Sequence, residues 1–101
     1  MTQLVVAAEA ETDTANILAY LAQEAGPRVA VDYGDRFRMT IERLVDMPLT
    51  GAPRPRLGPN TRIAVVAPYI LIYDYKRDDD ILTLLRILHG KRDITRLVLK
   101  Q

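Results

Sequence analysis

The chain has no cysteine and no tryptophan, one histidine and one phenylalanine, and no apolar run that approaches membrane length. Without cysteine there is no disulfide scaffold, no thiolate metal site and no thiol redox chemistry. With one histidine there is no multi-histidine metal centre, although carboxylate sites stay formally open. The N-terminus shows no cationic stretch followed by a long apolar core, so a cytoplasmic protein without a membrane span is the expectation. Nothing points to a cofactor or a metal. At 101 residues the chain suffices for one domain, burying roughly 60–70% of the surface that its unfolded form exposes.

What is present is unevenly distributed. Formal net charge is only +1. Residues 86–101, however, hold Arg86, Lys91, Arg92, Arg96 and Lys100 against Asp93 alone, while acids gather at Glu9, Glu11, Asp13 and at the turn Asp78-Asp79-Asp80. Such polarity suggests an oriented surface. The most apolar stretch, Ile81 to Leu88, is too short to span a membrane and reads as a central strand covered on both faces. Strict alternation puts Leu82, Leu84, Arg86 and Leu88 on one of its faces. Arg86 is then a guanidinium among leucines, and it must find a carboxylate, with Asp74 as the candidate, or open toward a partner. Gly90 ends the run, and His89, Lys91 and Arg92 gather on the turn.

Upstream, Gln3 to Ala7 reads as a short strand. A helix follows from about Glu9, with Ala10, Ile17, Leu18, Leu21 and Ala25 on one stripe and Thr12 or Asp13 as alternative N-caps. Gly26-Pro27 ends it and starts a second helix that runs to about Asp46, with Ala30, Tyr33, Phe37, Ile41, Leu44 and Val45 at spacings of three and four. Pro48 to Asn60 holds four of the six prolines and reads as an extended crossing loop. Strands Thr61 to Val66, Tyr69 to Lys76 and Ile81 to Leu88 then form an antiparallel meander. Asp93 can cap a short C-terminal helix carrying Ile94, Leu97 and Val98. The fold class is therefore α+β, in the order β-α-α-β-β-β. An αα-hairpin packs on one face of a mainly antiparallel sheet, a short helical tail follows, and residues 1–101 make a single domain. The opposite sheet face has little to cover it, and Arg86, the basic turn and Arg62 as a further candidate are expected to meet a partner there.

The residues Ala10, Asp13, Ile17 and Tyr20, Pro48 with Gly51, Arg62, the segment Tyr69 to Tyr73 and the run Leu85-Arg86-Ile87-Leu88-His89-Gly90-Lys91-Arg92-Asp93 together resemble the ParE toxins of bacterial toxin–antitoxin pairs, within the RelE/ParE superfamily. The resemblance implies a cytoplasmic, growth-inhibiting toxin that is held inactive by a ParD-like antitoxin and aimed at DNA gyrase. DNA would be reached only indirectly, through the antitoxin. Arg62, Arg86, His89, Lys91, Arg92 and Arg96 are the target-contact candidates on this reading. Arg54, Arg56, Tyr73, Tyr75, Leu97 and Val98 are the antitoxin-contact candidates. Two alternatives stay open: a RelE-like, ribosome-dependent mRNA endonuclease, and a non-toxic interaction module of the same fold. A nuclease needs an acid–base group near the ribose and cations on the phosphate. Where the nucleases are expected to carry an arginine or a terminal tyrosine, this chain has Ile70, Leu97 and Val98, so no catalytic residue is assigned. Tyr69, Tyr73 and Tyr75 suit stacking on a nucleic acid, but alternating aromatics on a strand more often face a core. A lone histidine such as His89 is likewise more often structural than a general base.

Overall fold

The structure, a computed structural model, describes residues 1–91. The elements run β1 (Gln3–Val6), α1 (Ala8–Ala25), α2 (Pro27–Asp46), β2 (Ala52–Pro53), β3 (Thr61–Val66), β4 (Tyr69–Lys76) and β5 (Ile81–His89). The sheet order is β1-β5-β4-β3-β2; β1 lies parallel to β5 and every other pair is antiparallel. The α+β architecture with a helical hairpin on one sheet face is as the periodicities indicated. The C-terminal helix expected from Asp93 lies outside the described residues.

Three local expectations are corrected. The centre of the sheet is β4, with β5 one place from the edge. The difference arises because the proline-rich segment gives up two residues, Ala52 and Pro53, to an additional strand beside β3. Proline is tolerated there because an edge strand leaves one side of its backbone unpaired. Neither Thr12 nor Asp13 caps α1, which starts five residues before Asp13 with Ala7 at the N-cap and no side-chain cap. Ala25, placed on the buried stripe, is exposed at the last turn.

Gly26 joins the helices alone, at φ 102°, a backbone conformation that a side chain would strain. With no longer loop between them, α1 and α2 pack side by side and bury Ala10, Phe37 and Leu44 against Leu71, Tyr73, Leu82, Leu84 and Ile87. Each large side chain so buried contributes roughly 1.5–3 kcal/mol. The opposite sheet face carries a smaller cluster of Ile63, Ile72 and Leu88, joined by Ile70, Leu85 and, from the proline-rich segment, Leu57. That face is therefore partly covered by the crossing segment itself.

Alternation along β5 fails at one point. Ile72 pairs with Arg86 and Tyr73 with Leu84, which leaves Leu85 as an extra residue in a β-bulge. Leu82 and Leu84 lie on the helix side with Ile87, whereas Arg86 and Leu88 fall on the opposite face with Ile72 and Ile70. A strict period of two groups Leu82 and Leu84 with Arg86, whereas the bulge puts them on the helix side and leaves Arg86 on the opposite face.

Candidate functional site

Beyond Leu84, β1 has ended and α1 has begun, so the far half of β5 has no strand on that side. Asp13 takes the place of the missing strand. Its carboxylate accepts the Ile87 amide at 3.0 Å, and Arg86 donates to it from Nε at 2.7 Å and Nη2 at 3.0 Å. This two-point fork is the strong form of an arginine–carboxylate contact. The sequence-based partner, Asp74, is instead the acceptor for the Thr61 hydroxyl. A signal for Asp13 was present: Ala10, Asp13 and Ile17 share one helical stripe, and an acid within an apolar stripe needs a partner.

The proline-rich segment is held by two other side chains. The Tyr73 hydroxyl donates to the Pro48 carbonyl at 2.7 Å and accepts the Gly51 amide at 3.0 Å. Arg62 donates from Nη1 to the carbonyls of Leu49 at 3.0 Å and Gly51 at 2.7 Å. Arg62 stands directly across from Tyr73, on the helix side of the sheet. It does not join Arg86 on the opposite face, as the sequence reading had it. Tyr73, one of the antitoxin-contact candidates, is 0% exposed, and its hydroxyl latches the loop. Burial pushes that hydroxyl above the ordinary tyrosine range, and the Gly51 bond and the Arg62 charge act the other way.

Tyr75 packs partly into the same core and donates to Asp80 at 2.7 Å, which also accepts the Thr2 hydroxyl at 2.7 Å. These two bonds hold the Asp80 carboxyl below the ordinary aspartate range, and the Asp80 bond in turn raises the Tyr75 hydroxyl. Tyr69 is buried against Phe37 and Tyr33, and His89 meets its ring edge-on at 5.9 Å on the helix side of β5. The tyrosines of β4 therefore face the core and form no stacking platform. Lys91, Arg54 and Arg56 are exposed, Arg54 with its guanidinium folded onto the Pro53 carbonyl. Arg92, Arg96, Leu97 and Val98 lie outside the described residues. Among the described residues no group of three potential ligands is placed to hold a metal ion, and no helix is long and apolar enough to cross a membrane.

Residues 4–94 match the family model described as the ParE toxin of the type II toxin–antitoxin system parDE. The chain belongs to the ParE toxin family. Among solved structures it is similar to a chain of the chromosomal ParDE toxin–antitoxin system from P. aeruginosa, at 22% identity and TM-score 0.75, covering 90% of this chain and 98% of that one. It is also similar to the isolated E. coli RelE toxin, at 13% identity and TM-score 0.63, over 99% of this chain and 97% of that one. At these identities both likenesses show the fold. No curated protein matches the sequence.

Proposed function

We propose that this ParE-family chain is the cytoplasmic toxin of a type II pair, that a ParD-like antitoxin neutralises it, and that it stops growth by binding DNA gyrase rather than by cleaving a substrate. The family match over residues 4–94 carries the reading. A second support comes from the groups a nuclease would have to recruit. The Tyr73 and Tyr75 hydroxyls are both engaged and both raised above the ordinary range, so neither is poised to take a proton near neutral pH. Ile70 occupies the position where an arginine would touch phosphate, and it packs into the second apolar cluster.

Expression of the chain alone is expected to arrest growth, and co-expression of its antitoxin to restore it. Purified protein is expected to inhibit a gyrase supercoiling reaction and to leave a labelled message on translating ribosomes intact. Cleavage at codons with gyrase unaffected would establish the RelE-like alternative. Growth unaffected by expression would leave the non-toxic interaction module.

A further inference from the structure

An open cleft of about 460 Å³ lies between the proline-rich segment and the β4–β5 turn, walled by Leu49, Pro53 and Pro59 on one side and edged by Arg62, Lys76 and Arg77. Arg62 is the partly buried cation of this group. Both of its contacts leave from Nη1, to the two carbonyls of the latched loop, and among the described residues no carboxylate lies within ion-pair distance of it. A guanidinium carries five N–H donors in a rigid plane. The two on Nη1 are occupied, and Nε with Nη2 form the side of the fork that matches a carboxylate in two-point contact. That same side is the one Arg86 commits to Asp13. Among the described residues the protein leaves the Nε and Nη2 edge of Arg62 unused, so that edge stays open to an anion.

We propose that this cleft is a recognition site for a carboxylate side chain on an extended peptide, taken by the Nε and Nη2 edge of Arg62. Leu49, Pro53 and Pro59 supply apolar contact for the flanking residues of the peptide. Lys76 and Arg77 steer the carboxylate inward. Asp78 and Asp79 also line the cleft; they repel a continuous phosphate backbone and favour a peptide with a basic residue beside its acid. The ligand class is thus a mixed acidic, apolar and basic protein segment and not a nucleic acid. The inference rests on the cleft geometry and is independent of the toxin reading.

The test uses the full chain labelled with ¹⁵N, following the arginine Nε–H signals during titration. The ligands are acetyl-Leu-Glu-Leu-Lys-amide, its glutamine counterpart, and a short oligothymidine. The glutamate peptide is expected to shift the Arg62 signal saturably and to leave the Arg86 signal in place. The glutamine peptide should bind about tenfold more weakly or worse, as loss of a charged two-point contact requires. Arg62→Lys, which keeps the charge and loses the fork, should reduce affinity by a similar factor. Because Arg62 also steadies the loop, Lys76→Gln with Arg77→Gln provides a second variant, expected to weaken binding a few-fold with the Arg62 shift retained. The proposal is overturned by an unmoved Arg62 signal, by equal affinity for the two peptides, or by a stronger response to the oligonucleotide.

Discussion

At the far end of β5, Arg86 gives the two-point edge of its guanidinium to Asp13, and the pair closes a gap where the sheet has run out of strand. Near the start of β3, Arg62 gives only Nη1 to the protein, holds the loop by its carbonyls, and stands in a cleft. The two side chains carry the same charge, and both interrupt apolar strands. What separates them is which nitrogens the fold has already used. Arg86 acts as a brace. Arg62 is a positioned donor, and its position depends on the loop that Tyr73 latches.

Breaking that loop is expected to give the largest effect. A Cβ on Gly51 would lie 2.7 Å from Tyr73 Cε1 and 2.8 Å from the Ile63 carbonyl oxygen, and would collide with the Tyr73 hydroxyl. The ring is fully buried and the carbonyl is strand backbone, so neither can yield. Gly51→Ala should cost about 3 kcal/mol, through overpacking and the loss of one to two hydrogen bonds. Thermal melting would register this as a fall of roughly 10–20 °C. A fall of a degree or two would mean that the loop is not latched.

The brace should be next in size, and asymmetric. Asp13→Ala strips both the Arg86 guanidinium and the Ile87 amide of their acceptor, and is expected to destabilise by about 2 kcal/mol. Arg86→Ala leaves a carboxylate that still accepts the Ile87 amide. The Arg86 side chain is 41% exposed against 14% for Asp13, so water screens its share of the pair and its loss should cost about 1 kcal/mol or less. A double-mutant cycle read by denaturant unfolding should show the two changes coupled. Additive losses would remove the pair from the account.

Arg62→Ala should cost about as little as Arg86→Ala, roughly 0.5–1 kcal/mol, because its two bonds are to carbonyls, one exposed and one part-buried. Its effect on peptide binding should nonetheless exceed that of Arg86→Ala. The reverse ranking would exchange the roles of the two residues.

Much of this was legible in the chain. The helical stripes through Phe37 and Leu44, the hinge at Gly26-Pro27 and the three-strand meander all followed from spacing and turn residues, because helix and strand periods are local properties. The bulge at Leu85 was not legible, since an extra residue in one strand is visible only against its partner. Without the bulge, Leu82 and Leu84 group with Arg86 on one face, and nothing local to β5 marks Asp13, 73 residues away, as its carboxylate. The Arg62 geometry was hidden for a related reason. Its contacts are backbone carbonyls of a loop 11 to 13 residues away, and no residue type marks a carbonyl as a partner. The tyrosines show the same limit from the other side. Their alternation did indicate a core, while the resemblance pulled Tyr73 and Tyr75 toward a surface role that the burial of Tyr73 does not support.

The smallest expected effect concerns the turn that borders the cleft. Asp80 is held below its ordinary pKa of 3.8 by the Tyr75 and Thr2 hydroxyls. A depressed carboxyl stabilises the fold above its unfolded pKa, and that contribution is lost as pH falls through the lower folded value. Tyr75 is raised above 10.0, so its contribution is present below that pH and is lost as pH rises through the higher folded value. Asp80→Asn should therefore flatten the acid limb of a stability–pH curve below about 3.8, being slightly less stable than the parent at neutral pH and converging with it in acid. An unchanged acid limb would place the acid sensitivity elsewhere.

On the proposed reading the fold uses its proton-carrying side chains as braces and acts on its target by binding. The most direct measurement is the stoichiometry of inhibition: purified protein titrated against gyrase at two enzyme concentrations about tenfold apart, both above the dissociation constant, with RNA integrity followed on translating ribosomes in parallel. A tight binder blocks in proportion to its target, so the protein needed for half-inhibition should rise about tenfold with the enzyme while the message stays whole. Many messages cut per molecule of protein, with supercoiling untouched, would contradict the account.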